Sequence, residues 1–106
     1  MTNKIHTPVL LNETIRMLNI NPNGVYVDAT AGFGGHSSAI LDKLSKYGKL
    51  VCIDQDNAAI KHLTKQFANN VNVCVVKNNF INIPSVLSKH NINKVDGIIA
   101  DLGVSS

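Results

Sequence analysis

Cysteine is scarce in this sequence, and its two cysteines do not stand where a disulfide or a metal site would need them. Cys52 and Cys74 each lie inside a short apolar segment, where a free cysteine behaves as a small hydrophobic residue. Together with the four histidines they form no spacing typical of zinc ligands. We therefore expect no disulfide and no bound metal, and the natural setting for such a chain is the reducing cytoplasm.

Long hydrophobic segments and concentrated charge are missing as well. No run approaches the roughly 18 apolar residues of a membrane span, and the polar segment Met1 to Lys4 is followed by no apolar signal region. The formal charge of +3 is scattered, with lysines at positions expected to face solvent: Lys43, Lys46, Lys49, Lys61 and Lys65. This distribution is typical of a solvated surface, and no basic arm or tail indicates a nucleic-acid partner.

What the sequence does contain is an alternation of strand and helix patterns. Its 106 residues, 44% of them hydrophobic, are enough for one domain with a modest core. Apolar, β-branched runs predict four strands, at Val25 to Val27, Leu50 to Ile53, Val71 to Val76 and Val95 to Ala100. Helical spacing predicts a lead-in helix from Thr7 to Leu18 and helices at Ser37 to Tyr47, Ala58 to Ala68 and Pro84 to His90. Gly48 follows the predicted helix Ser37 to Tyr47 directly, at the position where a C-cap is expected.

Near-continuous Val and Ile runs between helices are typical of a parallel sheet that is covered on both faces. Right-handed crossovers leave few topologies, and a doubly wound α/β sheet fits best. In such sheets, ligands bind outside the carboxyl ends of the strands. Asp28, Asp54 and Asp101 each follow a predicted strand directly and therefore fall at such ends.

The segment after the fourth strand, Leu102 to Ser106, is predicted to be a loop with no further element behind it. A sheet that stopped there would leave unpaired backbone groups wherever later strands ought to pair. We therefore expect the chain to be truncated after its fourth strand.

A glycine-bearing turn, Asp28 to His36, joins the first strand to the following helix. Its glycines allow the backbone to approach a ligand, and the helix start offers free N–H groups. A phosphate-binding P-loop would need Gly-Lys-Ser/Thr, which is absent, and a dinucleotide fingerprint is only partly met because Ser37 fills its third glycine position. The acidic residue followed by Gly32 and Gly34 resembles instead the first motif of class I methyltransferases. A glycine-rich turn without a ligand is the alternative.

Asp54 ends the second strand twenty residues after Gly34. An acidic residue at this place in such folds accepts hydrogen bonds from ribose hydroxyls. Asp54 is also a candidate helix cap, but Asp56 is the better one for the helix that begins near Ala58. We therefore assign Asp54 to the ligand.

Most of the chain resembles the bacterial family that methylates the N4 atom of a cytosine in 16S ribosomal RNA. The resemblance is carried by the segments His6 to Leu11, Tyr26 to Thr30, Gly34 to Ser37, Ile53 to Asp56 and Asp101 to Ser106. It implies the class I, Rossmann-like methyltransferase fold, with residues 1–106 forming the N-terminal part of the cofactor-binding domain. The helical substrate domain and the C-terminal strands would be absent.

The resemblance also implies S-adenosylmethionine as the cofactor. The positions that correspond to the family's cofactor contacts are Gly34, Gly35, His36, Asp54, Phe80 and Asp101. The two glycines and His36 would hold the methionine carboxylate, and Phe80 would pack on the adenine, although a plain core aromatic is its other interpretation. Asp101 is the expected catalytic residue, orienting the target amine.

The implied partner is 16S ribosomal RNA or the small ribosomal subunit, recognised by parts that this chain lacks. Two other functions remain open at this point. The chain is either an inactive remnant or cofactor-binding module of the family, or, less in keeping with Ser37, a dinucleotide binder in which Asp54 holds the ribose of NAD.

Overall fold

Strands and helices alternate along the described part of this computed structural model, which comprises residues 13, 15–29, 31–32 and 35–100. The strands are β1 (Val25–Asp28), β2 (Lys49–Asp54), β3 (Val73–Lys77) and β4 (Gly97–Ile99). The helices are α1 (Gly35–Lys43), α2 (Asn57–Gln66) and α3 (Ile83–Lys89), with a 3-10 turn at Phe80–Asn82 before α3. The predicted alternation is confirmed for this part of the chain.

All four strands are parallel and form one sheet in the order β3-β2-β1-β4. Val27 in β1 is the register partner of Val51 in β2 and of Ile98 in β4. The chain thus builds outward from β1 to β3 and then returns to the other side of β1 for β4. This reversal creates a switch point between β1 and β4, where doubly wound sheets hold their ligands.

The side chains of β2 alternate between two cores on opposite faces of the sheet. Cys52 belongs to the cluster that contains Ile40 of α1 and Leu63 of α2. Ile53 belongs to the cluster that contains Val86 of α3. Helices therefore cover both faces, and the predicted doubly wound α/β sheet is confirmed.

The helix after β1 differs most from its prediction. It begins at Gly35 and ends at Lys43, whereas the pattern predicted Ser37 to Tyr47. The Ser45 backbone N–H donates to the Pro22 carbonyl oxygen (2.8 Å), so this segment turns toward the start of β1 instead of continuing the helix. The prediction that Gly48 caps the helix is wrong: an added Cβ there would lie 2.5 Å from Pro22 O, so close backbone packing accounts for this glycine.

The other boundaries move by at most two residues. β3 begins at Val73 because Val71, predicted as its first residue, is fully exposed, and β4 is confined to Gly97–Ile99. Of the predicted lead-in helix, residues 15–18 are helical and Ile15 is buried, and the part before residue 13 lies outside the described residues. In the described ranges, no helix has the length and hydropathy needed to cross a membrane.

Candidate functional site

The acidic residues that end β1 and β2 lie at the same edge of the sheet but in different surroundings. Asp28 is the register partner of Cys52 and is completely buried. Asp54 lies two residues farther along β2 and is half-buried. The Asp54 carboxylate is therefore accessible to a ligand at this edge, whereas the Asp28 carboxylate lies within the protein.

The Asp54 carboxylate fastens the glycine turn to the end of β2. Its Oδ2 accepts a hydrogen bond from the Gly32 backbone N–H at 2.7 Å, and its Oδ1 accepts one from the Asp56 N–H at 2.9 Å. Gly32 has a φ of 55°, in the left-handed region that favours glycine. A carboxylate has about four acceptor sites, so Asp54 retains acceptor capacity on both oxygens for a diol.

Asp56, not Asp54, caps the helix after β2. Its Oδ1 accepts a hydrogen bond from the Ala58 backbone N–H at 3.3 Å, and its backbone is extended as an N-cap requires. The prediction that Asp56, and not Asp54, caps this helix is confirmed. The contact between Asp54 and ribose hydroxyls remains a prediction.

The start of α1 is open on the side of Gly35, as far as the described residues extend. None of their atoms lies within 4 Å of a Cβ added to Gly35, and His36 is partly exposed. The first turn of α1 contains no acidic residue. Because the first backbone N–H groups of a helix have no partner within the helix, this end of α1 favours an anionic group.

A buried polar chain lies directly beneath the start of α1. The Ser37 hydroxyl donates to Asp28 Oδ2 at 2.7 Å and contacts Cys52 Sγ at 3.2 Å. All three residues are fully buried. Burial, with a further contribution from the negative charge of Asp28, raises the pKa of the Cys52 thiol to about 12, although the Ser37 hydrogen bond opposes this shift. Cys52 is therefore a neutral thiol near pH 7.

Ser37 and Cys52 were missing from the predicted site. The sequence places Ser37 at the start of a predicted helix and in the third position of a dinucleotide fingerprint, and it indicates for Cys52 only a small hydrophobic role. Cys52 is two residues before Asp54, so strand alternation places it on the same face of β2, and this was the one available signal. Its pairing with Asp28 depends on the strand register.

Asparagines in the segment between β3 and α3 join that segment to the end of β2. The Asn78 backbone N–H donates to the Asp54 carbonyl oxygen at 3.0 Å, and the Asn79 amide donates to Gln55 Oε1 at 3.2 Å. Asn82 Nδ2 in turn donates to Asn78 Oδ1 at 2.7 Å. The backbone of Phe80 therefore lies in a turn held against the Asp54 loop, although the Phe80 side chain lies outside the described residues.

The structure thus brings part of the predicted site together at the carboxyl edge of the sheet. Gly35, His36 and Asp54 lie there, with the backbone of Phe80 beside them. Gly34 and Asp101 are outside the described residues, so their assignments remain predictions. Within the ranges that the structure describes, no three His, Cys, Asp or Glu residues are grouped so that they could hold a metal ion.

The solved structures on which this chain superposes include methyltransferases. An rRNA methylase from Streptococcus thermophilus superposes with a TM-score of 0.59 at 23% identity, covering 80% of this chain and 48% of that one. An S-adenosylmethionine-dependent methyltransferase from Aquifex aeolicus gives 0.57 at 15% identity, covering 65% of this chain and 38% of that one. At these identities the likeness establishes the fold, which is the Rossmann-like fold of S-adenosylmethionine-dependent methyltransferases.

Sequence comparison identifies the family within that class. Residues 3–106 match the model of the MraW methylase family, and the chain belongs to this family. It is 60% identical over 101 residues to ribosomal RNA small subunit methyltransferase H of Ureaplasma parvum, and 58% identical over 101 residues to that of Clostridium botulinum. In both cases the match covers 95% of this chain and 33% of the relative, so the chain spans about one third of their length. The family resemblance predicted from the sequence is confirmed.

Proposed function

We propose that this chain is the cofactor-binding part of an S-adenosylmethionine-dependent methyltransferase that modifies the N4 amine of a cytosine in 16S ribosomal RNA. The observation that carries the proposal is the Asp54 carboxylate. It is half-buried at the carboxyl end of β2, it holds the glycine turn through Gly32, and it keeps acceptor sites for a ribose diol. The names of the relatives, which are ribosomal RNA methyltransferases, support the substrate class.

We assign residues of this chain to both ends of the cofactor. Asp54 would accept hydrogen bonds from the ribose hydroxyls, and Phe80, in the turn joined to the Asp54 loop, would pack on the adenine. Gly34, Gly35 and His36 would hold the methionine carboxylate at the start of α1. The absence of acidic residues from the first turn of α1 and the open space beside Gly35 support this second contact.

The protein's own contribution to the reaction is mainly alignment. The bound cofactor supplies a methyl group that its sulfonium already activates. Asp101, two residues after β4 ends, would orient the cytosine amine in line with that methyl group. Asp101 need not be a strong base, because the methylated amine loses its extra proton readily.

The RNA itself would be held mostly by the parts of such proteins that lie outside the third matched by this chain. A cytosine must leave its stack before its N4 atom can enter a pocket at the sheet edge. The chain carries no concentrated basic arm and spans about one third of its curated relatives. We therefore assign cofactor binding to this chain and RNA recognition to the remaining part of such proteins.

Calorimetric titration with S-adenosylmethionine tests the cofactor site. Asp54→Ala should weaken binding about tenfold or more, because two hydrogen bonds to a charged acceptor are lost. Asp56→Ala is the matched control: it removes the cap of α2, at a cost of about 1 kcal/mol in stability, and should leave the affinity unchanged. Equal affinities of the unmutated chain and Asp54→Ala would refute the assignment, and tighter binding of NAD than of S-adenosylmethionine would favour the dinucleotide function.

A cofactor-binding module without catalysis is the second candidate, favoured by the fraction of the relatives that the chain spans. The two functions differ in one measurement. We expect the purified chain to bind S-adenosylmethionine and to transfer no methyl group to 16S ribosomal RNA. Turnover by the isolated chain, lost in Asp101→Ala, would show that this part of the protein suffices for catalysis.

A further inference from the structure

The buried contacts among Cys52, Ser37 and Asp28 have a defined direction. Ser37 has a single hydroxyl proton, which it donates to Asp28 Oδ2. The 3.2 Å contact between Ser37 Oγ and Cys52 Sγ therefore uses the thiol proton, with Cys52 as the donor. The raised pKa of Cys52 keeps that proton in place at neutral pH. The hydrogen bonds therefore run from Cys52 to Ser37 and from Ser37 to Asp28. This order requires a protonated thiol.

These three residues connect three elements at the point where the glycine turn becomes a helix. Cys52 is in β2, Asp28 ends β1, and Ser37 is the third residue of α1. Because Ser37 belongs to the first turn of α1, its two contacts fix the position of Gly35 and His36 relative to the sheet. The hydroxyl, the thiol and the carboxylate are all fully buried. Because an unsatisfied polar group at such a site is costly, they have few other hydrogen-bonding arrangements.

The described part of the glycine turn is held to the sheet by backbone and carboxylate contacts. The Ala31 backbone N–H donates to a carbonyl oxygen of β2 at 3.2 Å. The Asp54 carboxylate accepts from the Gly32 N–H in the middle of the turn. Beyond the turn, the Asp28 carboxylate accepts from the Ser37 hydroxyl. The Ser37 contact is thus a side-chain tie between the start of α1 and the end of β1.

We propose that Ser37 and Cys52 are positioning residues that set the first turn of α1 for the amino-acid portion of the cofactor. This inference rests on the proposed cofactor site. Neither residue reaches the ligand itself, because both are buried beneath the helix start. Loss of either contact would let the start of α1 shift, whereas the proposed ribose contact of Asp54 at the end of β2 would persist.

Two ligands that differ only in the amino-acid portion separate positioning from general loosening of the fold. S-adenosylhomocysteine carries the carboxylate and amine, and 5′-methylthioadenosine lacks both. In the full chain, Ser37→Ala and Cys52→Ala should each lower the affinity for S-adenosylhomocysteine about three- to tenfold. This change is the equivalent of one lost hydrogen bond. The affinity for 5′-methylthioadenosine should stay within about twofold, because its contacts lie away from α1.

Cys52→Ser is the rescue variant, since its hydroxyl can donate to Ser37 as the thiol does. It should retain the affinity for S-adenosylhomocysteine that Cys52→Ala loses. Val51→Ala, on the same strand but in the cluster beneath α3, is the control for a destabilised β2 and should lower neither affinity. If Ser37→Ala does not fold by circular dichroism, the Cys52→Ala and Cys52→Ser pair gives the same comparison.

The outcomes distinguish this inference from the function on which it rests. If Cys52→Ala lowers the affinity for both ligands equally, or for neither, the positioning role is overturned while the cofactor site remains. Failure of the unmutated chain to bind either ligand would overturn the proposed function and the inference with it. Selective loss of S-adenosylhomocysteine, restored in Cys52→Ser, is the result that we expect.

Discussion

The Asp54 carboxylate and the Gly32 backbone N–H, 22 residues apart in the sequence, form a hydrogen bond of 2.7 Å. This bond ties the turn after β1 to the end of β2, and it leaves further acceptor sites on the same carboxylate. Asp54 therefore combines a structural role with the proposed ligand contact.

Gly32→Ala should lower stability, because φ at this position is 55° and a side chain in the left-handed region costs about 1 to 2 kcal/mol. Gly35→Ala is the matched variant: its new Cβ enters open space, so stability should be retained or raised slightly. The same Cβ would obstruct the proposed methionine contact and weaken S-adenosylmethionine binding. Urea denaturation and calorimetry measure the two effects, and a Gly35→Ala chain that binds as tightly as the unmutated one would contradict the assignment.

Stability should fall at alkaline pH through Cys52. Burial raises its thiol pKa from 9.0 to about 12, so the folded chain holds the proton more tightly than the unfolded chain does. This contribution is fully present below pH 9 and is lost as the pH rises from about 9 to 12, with a slope of up to about 1.4 kcal/mol per pH unit. Denaturation between pH 8 and pH 11 should give a shallower slope for Cys52→Ser, whose side chain does not titrate in that range. Identical slopes would rule out this origin.

Gly48→Ala should destabilise the fold by about 1 to 3 kcal/mol. Its Cβ would lie 2.5 Å from the Pro22 carbonyl oxygen and 2.8 Å from Leu44 Cδ2, and the first of these belongs to the backbone. A denaturant midpoint that matches the unmutated chain would show that the Pro22 segment can move aside. Gly35→Ala serves again as the control, because it adds the same methyl group without a neighbour.

The two tyrosines should respond differently to removal of the hydroxyl. Tyr26 is buried, and its Oη accepts a hydrogen bond from the Asn21 backbone N–H at 2.7 Å. Tyr26→Phe leaves that N–H without its acceptor and should cost about 1 to 3 kcal/mol. Tyr47 is 73% exposed, so Tyr47→Phe should change the thermal midpoint little. Equal midpoints for the two variants would show that water replaces the Tyr26 hydroxyl.

Much of the fold could be predicted because parallel strands and their connecting helices leave strong local patterns. The interior of β2, Leu50 to Ile53, is an uninterrupted apolar run because both faces of the strand are covered, and the amphipathic pattern of α2 marks its buried side. The cap at Asp56 was predictable for the same reason, since a cap depends on the few residues around it. The element boundaries moved where long-range contacts decided them, as with Ser45 and Pro22.

Sequence by itself determined that acidic residues follow the strands and that a glycine turn leads into α1, because both depend on residues adjacent in the chain. It could not show that the Asp28 carboxylate is buried and the Asp54 carboxylate accessible, because both residues occupy equivalent places at strand ends. Tertiary structure decided that Asp28 is buried against Ser37 while Asp54 is half-buried at the sheet edge. The physical reason is the register of β1 against β2 together with the placement of α1 over one face. These determine which carboxylate lies under the helix and which remains accessible to a ligand.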